Sequence, residues 1–215
     1  ASNLVDTQLM KTNGFDVAEI DGGCFCCRFD SLKDAAFKLN KELTPDVFLA
    51  EPVGSCTDLI ATVSYPLRRI YGDAFTIAPL SVLVDPKRCA TMLNIKKGVN
   101  FSDKVRYIYL KQLEEADAIV VNKIDRYKKD DLDLLVKTLK KKYSDKKIFS
   151  ISSKENIGLD EWHDWILNNE FSNPKTMDID YSTYGEGEAL LGWLNATLKI
   201  NSTSAFDGNA FLQSF

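Results

Sequence analysis

Three thiols lie within four residues of the sequence, at Cys24, Cys26 and Cys27. They follow Gly22 and Gly23, which can adopt a positive φ and so permit a sharp bend. In a straight extended chain Cys24 and Cys26 would share a face while Cys27 pointed away, so all three can bind one ion only if the backbone turns. Zn²⁺ and Cu(I) accept thiolates, whereas Mg²⁺ does not favour them. The cluster predicts a thiophilic metal site with one position open for water, cargo or a fourth residue.

Other uses of these thiols remain open from the sequence. Buried cysteines can act simply as small hydrophobic side chains. Cys26 and Cys27 could take part in redox chemistry, although adjacent cysteines form only a strained disulfide. Cys56 could approach the cluster or pack under a helix. We interpret the one histidine, His163, as structural or exposed rather than as a ligand.

A second group of polar residues, Asn122, Lys123 and Asp125, follows the apolar run 118–121. It forms an NKxD motif at the carboxyl end of a predicted strand, where open α/β sheets bind ligands. The Asp125 carboxylate can accept from the ring N–H and the exocyclic amine of guanine, a pairing that adenine cannot supply. The stem of Lys123 can lie along the base, and Asn122 can tie the loop to neighbouring strands. Alone, the motif could also be a chance turn with its charges in solvent.

The same arrangement recurs one βα unit later, where the apolar run 148–151 leads into Ser152, Ser153 and Lys154. The backbone of this loop and the lysine stem could close over the other side of the base. A strand with NKxD followed by a strand with SSK is the order and spacing seen in GTPases. Together the two loops predict a guanine site.

The sequence Glu-Pro-Val-Gly at 51–54 follows another apolar run, 47–50. The Glu51 carboxylate could hold Mg²⁺ through water or orient an attacking water, and Gly54 leaves a backbone N–H free to approach a γ-phosphate. The alternative is that Glu51 caps a helix beginning near residue 57 or 58.

Short apolar runs that alternate with amphipathic segments must position these loops. This alternation predicts an α/β fold with three layers, a mainly parallel sheet covered by helices on both faces. The predicted strands are 47–50, 81–84, 118–121 and 148–151. The predicted helices cover 32–43, 86–93, 132–139 and 159–167. The last of these helices follows a turn at 156–158.

The composition is that of an ordinary globular protein, with 215 residues, 45% hydrophobic and 27% charged, and a net charge of −4. The negative charge argues against a nucleic-acid partner, because the one dense basic run, 137–147, has the spacing of a solvated helix face. The sequence contains neither the roughly 20 apolar residues needed to cross a bilayer nor a signal pattern. We expect a cytoplasmic protein without a membrane partner, whose cysteines stay reduced.

These motifs resemble those of the CobW-like GTPases, relatives of HypB and UreG among the P-loop NTPases. The resemblance runs in order across about residues 20 to 165. It covers the family's CxCC metal motif at 24–27, acidic switch at 51–54, base-reading motif at 122–125 and last nucleotide loop at 152–154. It implies a GTPase that binds GTP or GDP with Mg²⁺, and Zn²⁺, cobalt or another thiophilic metal at CxCC. The partner implied is a client metalloenzyme or a corrinoid or cobalamin-related protein. The alternative is a non-enzymatic metal-binding or partner-docking module.

The phosphate-binding motif of that family, GxxxxGK[ST], does not occur in the 215 residues. Because this loop supplies most phosphate contacts, we expect the chain to hydrolyse GTP poorly or not at all, and we interpret it as a fragment cut at both ends. We predict a GTPase-like domain without its P-loop segment at 1–172. Residues 173–215 are predicted to be a linker and the incomplete start of the family's small C-terminal α+β domain. Within that part, 190–200 is strand-like, a helix starts near Phe206, and 190–195 is similar to the opening of the family's C-terminal domain.

Overall fold

A parallel sheet of three strands forms the centre of the protein. The computed structural model describes residues 4–20, 24–72, 74–98, 100–170, 177–191 and 199–214. The strands are β1 (Ser81–Val84), β2 (Ala118–Val121) and β3 (Lys147–Ser150), in the spatial order β1-β2-β3. Both pairs are parallel and in register, with Val121 of β2 opposite Val84 and Ser150. The three strands therefore end at one edge of the sheet.

Helices precede, separate and follow the strands along the described chain. Along the sequence they are α1 (Val5–Thr12), α2 (Phe29–Leu43), α3 (Tyr65–Tyr71), α4 (Pro86–Met92), α5 (Asp103–Glu115), α6 (Lys129–Lys142), α7 (Leu159–Leu167), α8 (Tyr181–Glu188) and α9 (Gly208–Gln213). A π-helical turn, Ile60–Ser64, leads into α3, and a 3₁₀ turn, Ile124–Arg126, precedes α6. No helix in the described parts of the chain is long and apolar enough to cross a membrane.

Alternating side chains of β2 anchor two separate cores, one on each face of the sheet. Ile119 and Val121 are fully buried against residues of α4, α5 and α6, including Leu113 and Leu139. Ala118 and Val120 face the other way, where Phe149 and the partly buried tryptophans of α7 cover them. This arrangement of helices, sheet and helix confirms the predicted three-layer α/β fold. A third apolar cluster has Phe25, Cys26, Cys56 and Val63 as its buried members, and the partly buried Cys24 packs against it.

Most predicted elements are present, with boundaries close to those expected. β1, β2 and α7 have the predicted limits, and β3 begins one residue earlier than predicted. Pro86 is the first residue of α4, and the turn before α7 has positive φ at Asn156 and Gly158. The helix expected near Phe206 begins at Gly208, where Asp207 caps its first turn.

Two strand predictions are wrong, wholly or in part. Residues 47–50 form no strand, and Leu49 is 93% exposed, because no described strand lies beside this segment to complete a ladder. Of the strand expected at 190–200, residues 190–191 form a turn and bend after α8 and residues 199–200 are irregular. The intervening residues 192–198, together with Gly22 and Gly23, lie outside the described residues. The proposed domain boundary near residue 172 stays a prediction.

Candidate functional site

The two predicted base-reading loops meet at the carboxyl edge of the sheet. The Asn122 Oδ1 atom accepts hydrogen bonds from Lys123 N at 2.7 Å and from Ser153 N at 3.1 Å and Ser153 Oγ at 3.2 Å. Ser152 Oγ donates to Asp125 Oδ1 at 2.6 Å. The backbone N–H of Ile124 donates to the carbonyl oxygen of Ile151 at 3.2 Å and so also joins the two loops. Each loop is thus fixed by the other, and the Asp125 carboxylate is held by one of its oxygens.

Lys123 lies in the left-handed backbone region, with φ of 62°, and its side chain is anchored on a third loop. The Nζ atom is 3.3 Å from Asp85 Oδ2, and Tyr127 OH donates to the same carboxylate at 3.2 Å. Asp85 also accepts from the N–H groups of Lys87 and Arg88 at the start of α4. Burial acts to raise the pKa of Asp85, but the Arg88 N–H and the Lys123 ammonium outweigh it and hold the pKa below its ordinary value.

The sequence analysis did not identify Asp85 as a partner of the predicted base-reading loop. The signal was available, because an aspartate followed by proline directly after a strand is typical of a helix N-cap. That Asp85 would also bind Lys123 depends on the register of β1 with β2, which places Val84 opposite Val121.

Three thiols converge in the third apolar cluster. Cys56 Sγ lies 2.7 Å from Cys24 Sγ and 3.2 Å from Cys26 Sγ, and the three sulfur atoms all lie within 4.8 Å of one another. Thiolates about 2.3 Å from a tetrahedral Zn²⁺ would be roughly 3.8 Å apart, so one ion fits these donors with little movement. The chemistry of the set, sulfur without carboxylate, suits a thiophilic ion and not Mg²⁺.

Cys27 does not join this group of three sulfur atoms. The backbone turns as predicted, with Cys27 N donating to Cys24 O at 3.1 Å. The turn leaves Cys27 exposed, with its Sγ 3.8 Å from Cys26 Sγ. The structure therefore brings Cys24 and Cys26 together with Cys56, and the role of Cys27 as a ligand stays a prediction.

Sequence comparison shows the family of the chain. The model of the CobW/HypB/UreG nucleotide-binding domain matches residues 2–150. The chain belongs to this family. A search of curated proteins found no match, and neither did a search of solved structures. Membership makes the chain a nucleotide-binding domain of the P-loop NTPase class from a metallochaperone-type family, and the thiol group is a site that can hold a metal.

The thiol group of this CobW/HypB/UreG domain is electrostatically asymmetric. Burial raises the pKa of Cys26 to about 12 and also raises the pKa of Cys56. Burial opposes ionisation of Cys24 too, but hydrogen bonds from Cys56 and Cys26 outweigh it and lower the pKa of Cys24 below its ordinary value. Of these three thiols, Cys24 is therefore the one that ionises most readily. Binding of a cation by all three sulfurs must release the protons that they carry.

The three remaining predicted site residues with nucleotide roles, Glu51, Gly54 and Lys154, have fewer contacts that bear on those roles. Lys154 is 81% exposed at its side chain and forms an ion pair with Glu155 at 3.4 Å. Within the described parts of the chain Glu51 is exposed and has no hydrogen-bond or ion-pair partner. Gly54 contributes its carbonyl oxygen to a contact with Gln112 Nε2 at 2.9 Å. The catalytic roles of Glu51 and Gly54 stay predictions.

Helix α5, which the sequence did not predict, holds the loop that carries Cys56. Gln112 Nε2 donates to Gly54 O and to Cys56 O, each at 2.9 Å. Three residues later Glu115, only 4% exposed, accepts from Ile60 N at 2.6 Å. Glu115 therefore takes the helix-capping role that was the alternative interpretation of Glu51. Both contacts depend on long-range packing, which local sequence does not reveal.

Replacing Glu115 with glutamine should change how stability depends on pH. Burial raises the pKa of Glu115 from its ordinary value of 4.5 to about 7, and the Asp58 carboxylate adds to the shift although backbone N–H groups oppose it. Between these two values the folded state binds more protons than the unfolded state, so this residue lowers the free energy of unfolding as pH rises. As pH rises from 4.5 to 7.5, the free energy of unfolding of wild type should fall by on the order of 3 kcal/mol relative to that of Glu115→Gln.

Urea unfolding of both proteins across this pH range measures the difference. Asp145→Asn, at an exposed carboxylate in the turn after α6, serves as the control and should leave the pH dependence unchanged. Parallel curves for wild type and Glu115→Gln would show that Glu115 does not titrate between these values.

Proposed function

We propose that this chain is the guanine-reading and metal-binding part of a GTP-dependent metallochaperone. The observation that carries the proposal is that Cys56, five residues after Glu51, completes the thiol group with Cys24 and Cys26. The segment expected to sense the γ-phosphate is therefore the segment that supplies a metal ligand. A change in its conformation on hydrolysis would alter the metal geometry directly.

Guanine recognition in this proposal rests on the paired loops at the sheet edge. Ser152 donates to one oxygen of Asp125, which would orient the carboxylate so that it can accept from the base. Asn122 and Ser153 fix the spacing of the two loops. Glu51 would hold Mg²⁺ through water or position the attacking water, as the resemblance implies.

The cargo is proposed to be Zn²⁺, Co²⁺ or another ion that favours sulfur, delivered to a metalloenzyme or a corrinoid protein. All five cysteines are free thiols, which suits a reducing compartment such as the cytoplasm. Three thiolates leave a fourth position for water or for a ligand from the client, so transfer can proceed by ligand exchange.

Metal titration tests this proposal in two steps. The chain should bind one Zn²⁺ with all three thiols in place, and Cys24→Ser with Cys26→Ser should abolish stoichiometric binding. Affinity should then differ with GTP, GDP or neither present, in this chain or in any longer form that carries a phosphate-binding loop. Equal affinity in all three states would rule out coupling, because a ligand without differential affinity shifts no population.

A second candidate function is a metal-binding module without turnover. The observation that favours it is the thiol group itself, in which three sulfur atoms lie within 4.8 Å of one another. It predicts tight metal binding, no release of phosphate from GTP, and no effect of nucleotide on metal affinity. The effect of nucleotide on metal affinity separates the two candidates, because this chain is expected to release little phosphate in either case.

A further inference from the structure

Helix α8 packs against α5 at a distance that only glycine permits. Gly187 is buried at the contact, and a Cβ atom there would lie 2.8 Å from Ile108 Cδ1 and 2.8 Å from Lys104 O. Lys104 also forms an ion pair with Glu186. At the start of α8, the N–H of Asp180 donates to Tyr107 OH at 2.9 Å. The docking of α8 is thus specified by close packing and by polar contacts at both ends.

Both ends of α8 also hold the loop that carries Cys56. Tyr181 OH donates to Asp58 Oδ2 at 2.5 Å, and Ser55 Oγ donates to Glu188 Oε1 at 2.9 Å. One contact lies two residues after Cys56 and the other lies one residue before it. Asp58 is only 8% exposed and has a positive φ of 65°, so its position is closely constrained.

We infer that α8 is a positioning element for the third thiol and that its docking sets the metal affinity of the site. Helix α5 holds the loop through the carbonyl oxygens of Gly54 and Cys56, while α8 holds the side chains of Ser55 and Asp58. Helix α8 lies beyond the 2–150 range that the family model matches. The inference rests on the proposed metal-binding function. The residues of α8 that position the loop are Tyr181 and Glu188.

The physical reason is preorganisation of the ligand loop. Cys24 and Cys26 are close in sequence and share one turn, but Cys56 is 30 residues from Cys26 and depends on its own loop for its position. If that loop is mobile, metal binding must first order it, at a cost in conformational entropy. Loss of residues that orient a metal ligand typically lowers affinity about 10- to 100-fold.

Two glycines in α8 provide a matched pair of variants. Gly187→Ala places a methyl group against Ile108 and the backbone of α5, whereas a Cβ at Gly185 meets nothing within 4 Å. Both substitutions favour an isolated helix to the same degree. Gly187→Ala should therefore raise amide hydrogen exchange in 181–188 and 53–60 and weaken Zn²⁺ binding about 10-fold. Gly185→Ala should change neither.

A second set of variants removes the loop contacts without relying on the helix to detach. Tyr181→Phe combined with Glu188→Ala deletes both side-chain contacts, and Glu188→Gln keeps an acceptor for Ser55. The double variant should weaken Zn²⁺ binding about 10-fold and reduce the thiolate-to-Co²⁺ charge-transfer absorption. Glu188→Gln should retain both properties.

Hydrogen exchange of 53–60 in the metal-free protein separates this inference from the proposed function. If residues 53–60 exchange faster in the double variant but wild type binds no Zn²⁺, the proposed metal-binding function is wrong, while α8 still positions the loop that carries Cys56. If exchange, Zn²⁺ affinity and Co²⁺ absorption are all unchanged in the double variant, the positioning role is overturned.

Discussion

Serine at Cys56 should weaken Zn²⁺ binding by about 100-fold or more, because it removes one thiolate from a site whose total binding free energy is on the order of 10 kcal/mol. Cys56 is buried and lies 2.7 and 3.2 Å from the sulfurs of Cys24 and Cys26, so its loss removes one of the three donors of the observed group. The intensity of the thiolate-to-Co²⁺ charge-transfer band should fall by about one third, because two sulfurs remain of three. Competition with a chromophoric chelator gives the Zn²⁺ affinity.

Two other cysteines are the controls for this experiment. Cys27→Ser changes an exposed thiol outside the group, and Cys89→Ala changes a fully buried thiol in the α4 core. Neither should reduce the Co²⁺ band. A large loss at Cys27 with none at Cys56 would contradict the observed group and support the set predicted from sequence, Cys24, Cys26 and Cys27.

The sequence predicted the presence of a thiol site better than its members. Three cysteines in four residues indicate a ligand cluster by their density alone, but the choice among them depends on the turn. Here the turn directs Phe25 and Cys26 into an apolar cluster with Cys56 and leaves Cys27 outside. Sequence spacing could not select Cys56, since its approach depends on α5 and α8 holding its loop.

The sequence predicted strands correctly where neighbouring strands and helices bury them, and incorrectly where no partner strand lies beside them. β2 is buried along its whole length, so its continuous apolar run identifies it without ambiguity. The run at 47–50 has a similar composition, yet it has no partner strand in the described chain. An apolar run predicts that a segment is buried, whereas a strand also requires another strand beside it.

Helix α8 was missed because its local signals oppose a helix. Its sequence, Tyr-Ser-Thr-Tyr-Gly-Glu-Gly-Glu, contains two glycines, each costing about 1 kcal/mol relative to alanine. Asp180 caps its first turn through the N–H groups of Ser182 and Thr183, and Gly187 permits the contact with α5. The same residue that weakens the helix alone allows it to dock, so tertiary packing decides the outcome.

The contact between the loops after β2 and β3 was predictable from sequence because the positions of these loops follow from the sheet. Parallel strands that end in register must bring the loops after β2 and β3 to one edge, and the hydrogen bonds of Asn122 and Asp125 to the serine pair show them in contact. The motif thus depends on topology that periodicity reveals. Topology does not determine whether the motif selects guanine. That selectivity depends on the Asp125 carboxylate, and Asp125→Asn tests it.

Asparagine at Asp125 should lower the affinity for guanine nucleotides about 10- to 100-fold, since a bidentate pairing of this kind contributes roughly 1–3 kcal/mol of discrimination. The substitution keeps the shape of the side chain and an acceptor for Ser152 Oγ, which donates to Asp125 at 2.6 Å. It also turns one acceptor into an N–H donor that faces the donors of guanine. Xanthine carries a carbonyl oxygen in place of the exocyclic amine, so the variant should bind xanthosine monophosphate relatively better than wild type does.

NMR titration of the isotope-labelled chain with GMP, AMP and xanthosine monophosphate measures these affinities even when they are weak. Asp133→Asn, at an exposed carboxylate on α6, is the matched control and should leave all three affinities unchanged. Equal binding of GMP and AMP by wild type would remove the guanine assignment. A wild-type preference for GMP that survives in Asp125→Asn would instead move the recognition away from Asp125, because a side chain that has exchanged an acceptor for a donor cannot support the same base pairing.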